Sequence, residues 1–299
     1  MVADNGYPFY LVDAFAKQPF QGNPAAVVPQ ADGLTDKQMQ HIAREANCSE
    51  TAFVLHPTQA AADLRLRWFT PTLEVDLCGH ATIATLHVLA QEGRFNLQRG
   101  TTQILYLETR SGILKVLVDC KGKRPWVWLT LPSCHFEQLS STQMQDLRAA
   151  LGGPAVNATT AVVDSHNHDV LISIPHLHQL HGLAPDMTTL AQFGKREGWR
   201  GVCVYTTETI ESDTDAHLRF FAPQSGIPED PVTGSVSGPL ALYLSQTKAT
   251  HSDPEPQTFW RFEQGDCLGR AGRLTIELDG QNPKLGGQAV TVLRGELYL

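Results

Sequence analysis

Leu64, Leu66 and Trp68 alternate with Arg65 and Arg67, the period of a strand with one buried face. Short apolar runs bounded by turn residues predict further strands at Tyr10–Phe15, Pro24–Val28, Thr51–Leu55, Ile104–Leu107, Ile113–Val118, Trp126–Leu131, Val170–Ile174, Val202–Tyr205, Leu274–Leu278 and Ala289–Leu293. Helical spacing is plainest after Thr35-Asp-Lys-Gln38, a capping box followed by Met39, Ile42, Ala43 and Ala46, with an end expected near Asn47. Further helices are expected over Ala81–Gln91, Ser141–Leu151 (closed by Gly152-Gly153), Thr188–Trp199 and Ser235–Ser245. Gly22-Asn23-Pro24 is turn chemistry, and Asp253-Pro-Glu-Pro256 a short surface loop. Strands outnumber helices, and each half of the chain keeps one strongly apolar helix. This predicts an α+β fold in which a mixed sheet curls round its own helix in each half.

A repeat underlies the two halves. Phe69-Thr-Pro71 is followed seven residues after its proline by Cys78, and Phe221-Ala-Pro223 at the same distance by Asp230. Each copy then passes through small residues into a helical apolar pattern. The spacing predicts two similar domains, residues 1–120 and 121–284, crossing at Lys121-Gly-Lys-Arg-Pro125, with a final strand over about 285–299 returning to the first. Both repeats would aim a helix start at a shared cleft.

With 42% hydrophobic and 18% charged residues, the 299-residue chain has the balance of a globular protein with two cores to fill. A formal charge of −8 without a run of Lys or Arg argues against nucleic acid and anionic membrane, yet leaves room for a small anion at a helix start. No apolar run approaches the ~18 residues needed to span a bilayer. The first residues lack the basic-then-apolar order of a signal peptide. Six scattered cysteines without a Cys-x-x-Cys pair read as free thiols, which points to the cytoplasm.

Glu50, at a strand entrance, is either a solvated carboxylate or a general acid/base whose pKa an apolar site raises. His80 follows Gly79 at a helix start, where free N–H groups suit a carboxylate. Asp230 precedes Pro231, and is either a turn former or a holder of a ligand hydroxyl or amine. Gly234 and Ser235 behind it could hold an anion, while Glu229 is expected to be solvated. Cys78 reads equally as an activated thiol and as a small buried residue. His166-Asn-His168 lacks a third ligand, and no recurrent metal spacing or phosphate-loop signature is present, so neither metal nor cofactor is expected.

Taken in order, Val12-Asp13-Ala14-Phe15, Pro19-Phe20, Gly22-Asn23-Pro24, Ser49-Glu50-Thr51, Phe69-Thr70-Pro71, Cys78-Gly79-His80, Asp230-Pro231-Val232-Thr233-Gly234-Ser235, Gln264-Gly265, Gly269-Arg270 and Gly286-Gly287 resemble the pattern of the PhzF-like family across essentially the whole chain. The resemblance implies the diaminopimelate epimerase-like fold: two pseudo-symmetric domains, a cleft between them, and a homodimer. It implies Glu50 as acid/base, His80 and Asp230 as the orienting pair, and Asn23, Cys78, Gly79, Gly234 and Ser235 against the substrate. The activity implied is cofactor-independent isomerisation of a small anionic metabolite by proton transfer. Epimerisation with Cys78 and Asp230 as opposed bases, and a non-catalytic binding protein, are the alternatives. The phenazine enzyme itself is expected to carry a small apolar residue where Cys78 stands here.

Overall fold

The computed structural model describes residues 6–152, 158, 160–248 and 257–299. The loop expected at Asp253–Pro256, and Gly153 of the Gly152-Gly153 stop, lie outside the described residues. In chain order the elements are β1 (Tyr7–Ala14), β2 (Asn23–Val28), α1 (Asp36–Ala46), β3 (Glu50–Leu55), β4 (Leu64–Phe69), β5 (Glu74–Val75) and α2 (Gly79–Gln91). Strands β6 (Thr102–Thr109), β7 (Gly112–Asp119), β8 (Trp126–Thr130) and β9 (Phe136–Gln138) lead to α3 (Ser141–Leu151). Then come β10 (Thr160–Asp164), β11 (Asp169–Ser173), α4 (Leu177–His181), α5 (Met187–Glu197), β12 (Gly201–Thr206), β13 (Ala216–Ala222) and β14 (Ile227–Asp230). Helix α6 (Gly234–Lys248) precedes β15 (Phe259–Gln264), β16 (Gly272–Asp279), β17 (Asn282–Gly287) and β18 (Ala289–Leu297).

The chain divides into two units, Met1–Thr130 with Gly286–Leu299, and Leu131–Leu285. In the first, the strands pair in the order β18-β1-β2-β3-β4-β6-β7-β8, with β2–β3 and β4–β6 parallel and the other pairs antiparallel. In β4 the alternation is realised: Leu64, Leu66 and Trp68 are buried, and the arginines between them half-buried. Helix α2 is buried from His80 to Leu89 and has no polar face, so it can only be a core helix. It packs on β18, β1, β2 and β3 at one end of the strand order and on β8 at the other. A sheet whose two ends touch one helix has curled round it. The hydroxyls of Thr82 and Thr85, carried into this core, donate to the carbonyls of Cys78 at 2.6 Å and Ala81 at 2.7 Å, which removes the cost of burying them. On the sheet's outer face α1 seals a smaller core of Val28, Met39, Ile42, Phe53 and Phe69. Its N-terminus is fixed by the Thr35–Gln38 capping box, and Asn47 closes it in the left-handed conformation.

The second unit repeats this plan. Its strands pair in the order β9-β10-β11-β12-β13-β15-β16, with β11–β12 and β13–β15 parallel. Helix α6 packs on β16 at one end and reaches β9 at the other, where the rings of Tyr243 and Phe136 stand edge to face at 5.3 Å. Helices α3 and α5 cover the outer face over Leu147, Leu151, Ile172, Phe193, Val204 and Phe221. Buried on both faces, β12 reads as a continuous apolar run, while β13 carries buried His217 and Arg219 between its apolar residues.

Two expectations need correction. The polar Lys121–Pro125 stretch is a turn within the first unit, because β8 after it pairs with β7; the division falls after Thr130. Helix α2 starts at Gly79, two residues before the expected Ala81, because glycine and histidine enter the first turn despite their weak helix propensity.

Candidate functional site

In the first unit three segments converge. The turn from β1 to β2 folds back tightly: Asp13 Oδ2 accepts from the Phe20 N–H at 2.6 Å, and Gly22 (φ +63°) lies so close that a Cβ there would be 2.0 Å from the Ala14 carbonyl oxygen. That turn delivers Asn23 fully buried at the start of β2. Strand β3 runs parallel to β2 with Glu50 opposite Ala25, so Ser49 and Glu50 arrive beside Asn23. Helix α2 supplies Cys78, the residue before its first turn, then Gly79 and His80.

The side chains form one network. The Ser49 hydroxyl donates to Asn23 Oδ1 at 3.5 Å and lies 3.3 Å from His80 Nε2. Glu50 Oε2 is also 3.3 Å from His80 Nε2, and the Cys78 sulfur is 3.4 Å from His80 Nδ1. Burial pushes the Glu50 carboxyl above its ordinary pKa, and hydrogen bonds from Ser49 and Cys78 oppose that rise without cancelling it. No side chain caps the α2 start. Glu50, Cys78 and His80 also offer ligand atoms within 4.8 Å of one another, a spacing that one cation can bridge. Spacing along the chain did not disclose this set, since Glu50 comes from a different element.

In the second unit Asp230, Gly234 and Ser235 gather at the start of α6. Thr233 Oγ1 donates to Asp230 Oδ2 at 2.6 Å. Gln264 clamps the connection: its Nε2 donates to the Asp230 carbonyl at 2.8 Å, and its Oε1 accepts from the Thr233 N–H at 2.9 Å. Behind it Gly265 (φ +89°) passes within van der Waals contact of the Pro231 carbonyl, where a Cβ would stand at 2.6 Å. The Ser235 hydroxyl accepts from Arg200 Nη2 at 3.0 Å. Arg200 also forms a two-point ion pair with Asp169, which is fully buried. Pro239 lacks the N–H that would bond the Ser235 carbonyl in a regular helix. That carbonyl instead accepts from Asn167 Nδ2 at 3.2 Å.

Arg200, Asn167 and Gln264 were not singled out from the sequence as site residues. Asn167 sat between the two histidines weighed as metal ligands; the middle residue is the one that reaches α6. Glu229 is not solvated: its carboxylate takes two 2.8 Å hydrogen bonds from Arg219. The repeat also aligns differently in three dimensions. Cys78 and Thr233 each precede the first helical glycine, and each carbonyl accepts from a hydroxyl four residues on, Thr82 and Ser237 at 2.6 and 2.9 Å. The counterpart of Cys78 is therefore Thr233, three residues after Asp230.

Comparison with known proteins gives the same picture. The family model described as phenazine biosynthesis-like protein, PhzC-PhzF, matches residues 12–295. A Clostridium acetobutylicum protein named an uncharacterized isomerase is 36% identical over 303 residues, covering 98% of either chain. A Bacillus anthracis PhzF-family crystal structure covers 99% of this chain and 100% of its own, with a TM-score of 0.86 and 28% identity. A hydroxyproline epimerase from Agrobacterium vitis shares the fold at a TM-score of 0.63, covering 100% of this chain and 94% of its own at 13% identity. The fold is thus α+β and epimerase-like, and the chain belongs to the phenazine biosynthesis-like PhzC-PhzF family, as one of its isomerases.

Proposed function

We propose that this isomerase moves a proton between two positions of a small carboxylate-bearing metabolite, using side chains alone, with Glu50 as the shuttle. The observation that carries the reading is a desolvated carboxyl with raised pKa, 3.3 Å from an imidazole, beside an uncapped helix start. Such a carboxyl holds a proton more readily than an exposed glutamate and gives it up when a partner polarises the acceptor. His80 would orient and polarise the substrate, with its ring fixed from both sides by Glu50 and Cys78. The free N–H groups around Gly79 would take the carboxylate. Asp230, Gly234 and Ser235 are assigned to substrate binding on the strength of the sequence pattern, and Arg200 joins them as the cation already held at Ser235.

The alternative with Cys78 and Asp230 as opposed bases is less well supported, because Thr233 takes the position matching Cys78. Family kinship carries the expectation of a homodimer, checked by light scattering. The six free thiols suit the cytoplasm.

The test is proton NMR in heavy water on a substrate found by metabolite screening. Wild type should exchange one carbon-bound proton with solvent and convert the substrate. Glu50→Gln should still bind it and do neither. Turnover surviving in that variant would end the reading; turnover surviving there but lost in Cys78→Ala would transfer the role to the thiol.

A further inference from the structure

At the far end of α2 from His80 lies an open cavity of about 720 Å³, lined by Tyr10, Gln91, Glu92, Arg94, Thr291 and Arg294. All of these belong to the first unit. The volume lies within the range of small-molecule sites. Its polar groups are unequally satisfied. The Tyr10 hydroxyl, on a buried ring, donates to Glu92 Oε1 at 2.8 Å, and Thr291 donates to Gln91 at 2.7 Å. The other oxygen of Glu92, Oε2, is buried and accepts no hydrogen bond. Its nearest cation, Arg94 Nη1, stands 3.7 Å away and donates to the Pro29 carbonyl instead. A buried carboxylate oxygen without a donor is costly, and a charged donor relieves it best.

Arg294 supplies the opposite charge. It is exposed on β18, with its guanidinium 5.7 Å from the centre of the Tyr10 ring, and it forms no ion pair among the described residues. Tyr10 therefore stands between a carboxylate with one oxygen lacking a hydrogen bond and an exposed guanidinium that also interacts with the Tyr10 hydroxyl. We infer that this cavity binds a small zwitterionic amino acid, its ammonium beside the Glu92 carboxylate and its carboxylate on the Arg294 guanidinium. The backbone around the cavity is held in shape for this: Gly93, Phe95 and Asn96 all adopt positive φ, and the Arg94 guanidinium stacks 5.4 Å from the Phe95 ring centre. Glu50 and His80 take no part, so the site is separate from the one proposed for catalysis.

Titration calorimetry tests the inference, with L-leucine and L-phenylalanine as probes. The controls are their deaminated forms (4-methylpentanoate, 3-phenylpropionate) and their decarboxylated forms (3-methylbutylamine, phenethylamine). Saturable binding is expected for an amino acid, with both of its controls at least about tenfold weaker, the worth of one charge-assisted contact. Arg294→Ala, on an exposed side chain, and Glu92→Gln should each weaken binding by about tenfold. The inference is overturned if neither amino acid saturates the protein, if a carboxylate control binds as well as its amino acid, or if Arg294→Ala has no effect.

Discussion

The two helix starts, α2 and α6, are built alike and equipped differently. Each begins with glycine, buries a hydroxyl that bonds back to the residue before the helix, and runs through the core of a curled sheet. At α2 the next residue is His80, flanked by a buried carboxyl and a thiol. At α6 it is Ser235, held by a guanidinium. The acid of the second copy, Asp230, is already bonded to Thr233 and anchored through Gln264, whereas burial raises the pKa of Glu50. Duplication of a scaffold thus does not duplicate its chemistry. One copy sets a buried carboxyl and a thiol against an imidazole, and the other sets a guanidinium against a hydroxyl.

The sharpest way to break this contrast is to compare Glu50→Gln with Asp230→Asn in steady-state kinetics. The first should lower kcat on the order of 10³-fold, about 4 kcal/mol of barrier. The second should act mainly on KM; equal losses of kcat would erase the distinction. In wild type the acid limb of the rate profile should fall above the ordinary glutamate range. Ser49→Ala should move it higher still, because it removes a hydrogen bond that favours the charged form.

Next in size, Arg200→Met should raise KM for a carboxylate substrate and leave the fully buried Asp169 without its counter-charge. We expect a loss of about 3 kcal/mol in urea denaturation, since breaking a buried pair costs more than never having made it. Helix α2 also carries a liability that α6 lacks. His87 is buried with neither ring nitrogen bonded, and burial pushes its pKa down to about 4, where α6 has Leu242 in the matching place. The unfolded chain therefore takes up a proton at His87 below about pH 6.5 that the folded chain refuses until about pH 4. Stability should fall by roughly 3 kcal/mol as pH drops across that window and then level off for this group. His87→Leu should flatten the slope. The smallest effects should be equal in the two units: Thr35→Ala and Ser140→Ala each remove a capping box, for about 1 kcal/mol by thermal melting.

Where a residue's role depends on its neighbours in sequence, the chain announces it. Thr35 and Gln38 are three apart and cap one turn; Leu64, Leu66 and Trp68 alternate; Cys78-Gly79-His80 opens a helix. Glu50 could be named from its motif, but its raised pKa comes from burial that only the folded chain supplies. Arg200 and Gln264 were illegible for the same reason. Arg200 stands 35 positions from the serine it holds, and Gln264 is 31 from the threonine it clamps. The strand β14 was missed because Ile227-Pro-Glu-Asp230 carries a proline and two acids where β13 offers its edge. The repeat itself was legible, but counting residues paired Cys78 with Asp230, and only the backbone shows that Pro231-Val232-Thr233 intervenes before the second helix.

The all-round burial of α2 has a practical consequence. A rod wedged on every side has no slack, so a methyl group lost or gained halfway along it is transmitted to whatever sits at its tip. Screens for altered chemistry at His80 will therefore recover substitutions at Ile83 or Ala84 that never touch a substrate. Only a melting curve measured beside each rate will tell a displaced rod from a changed reaction.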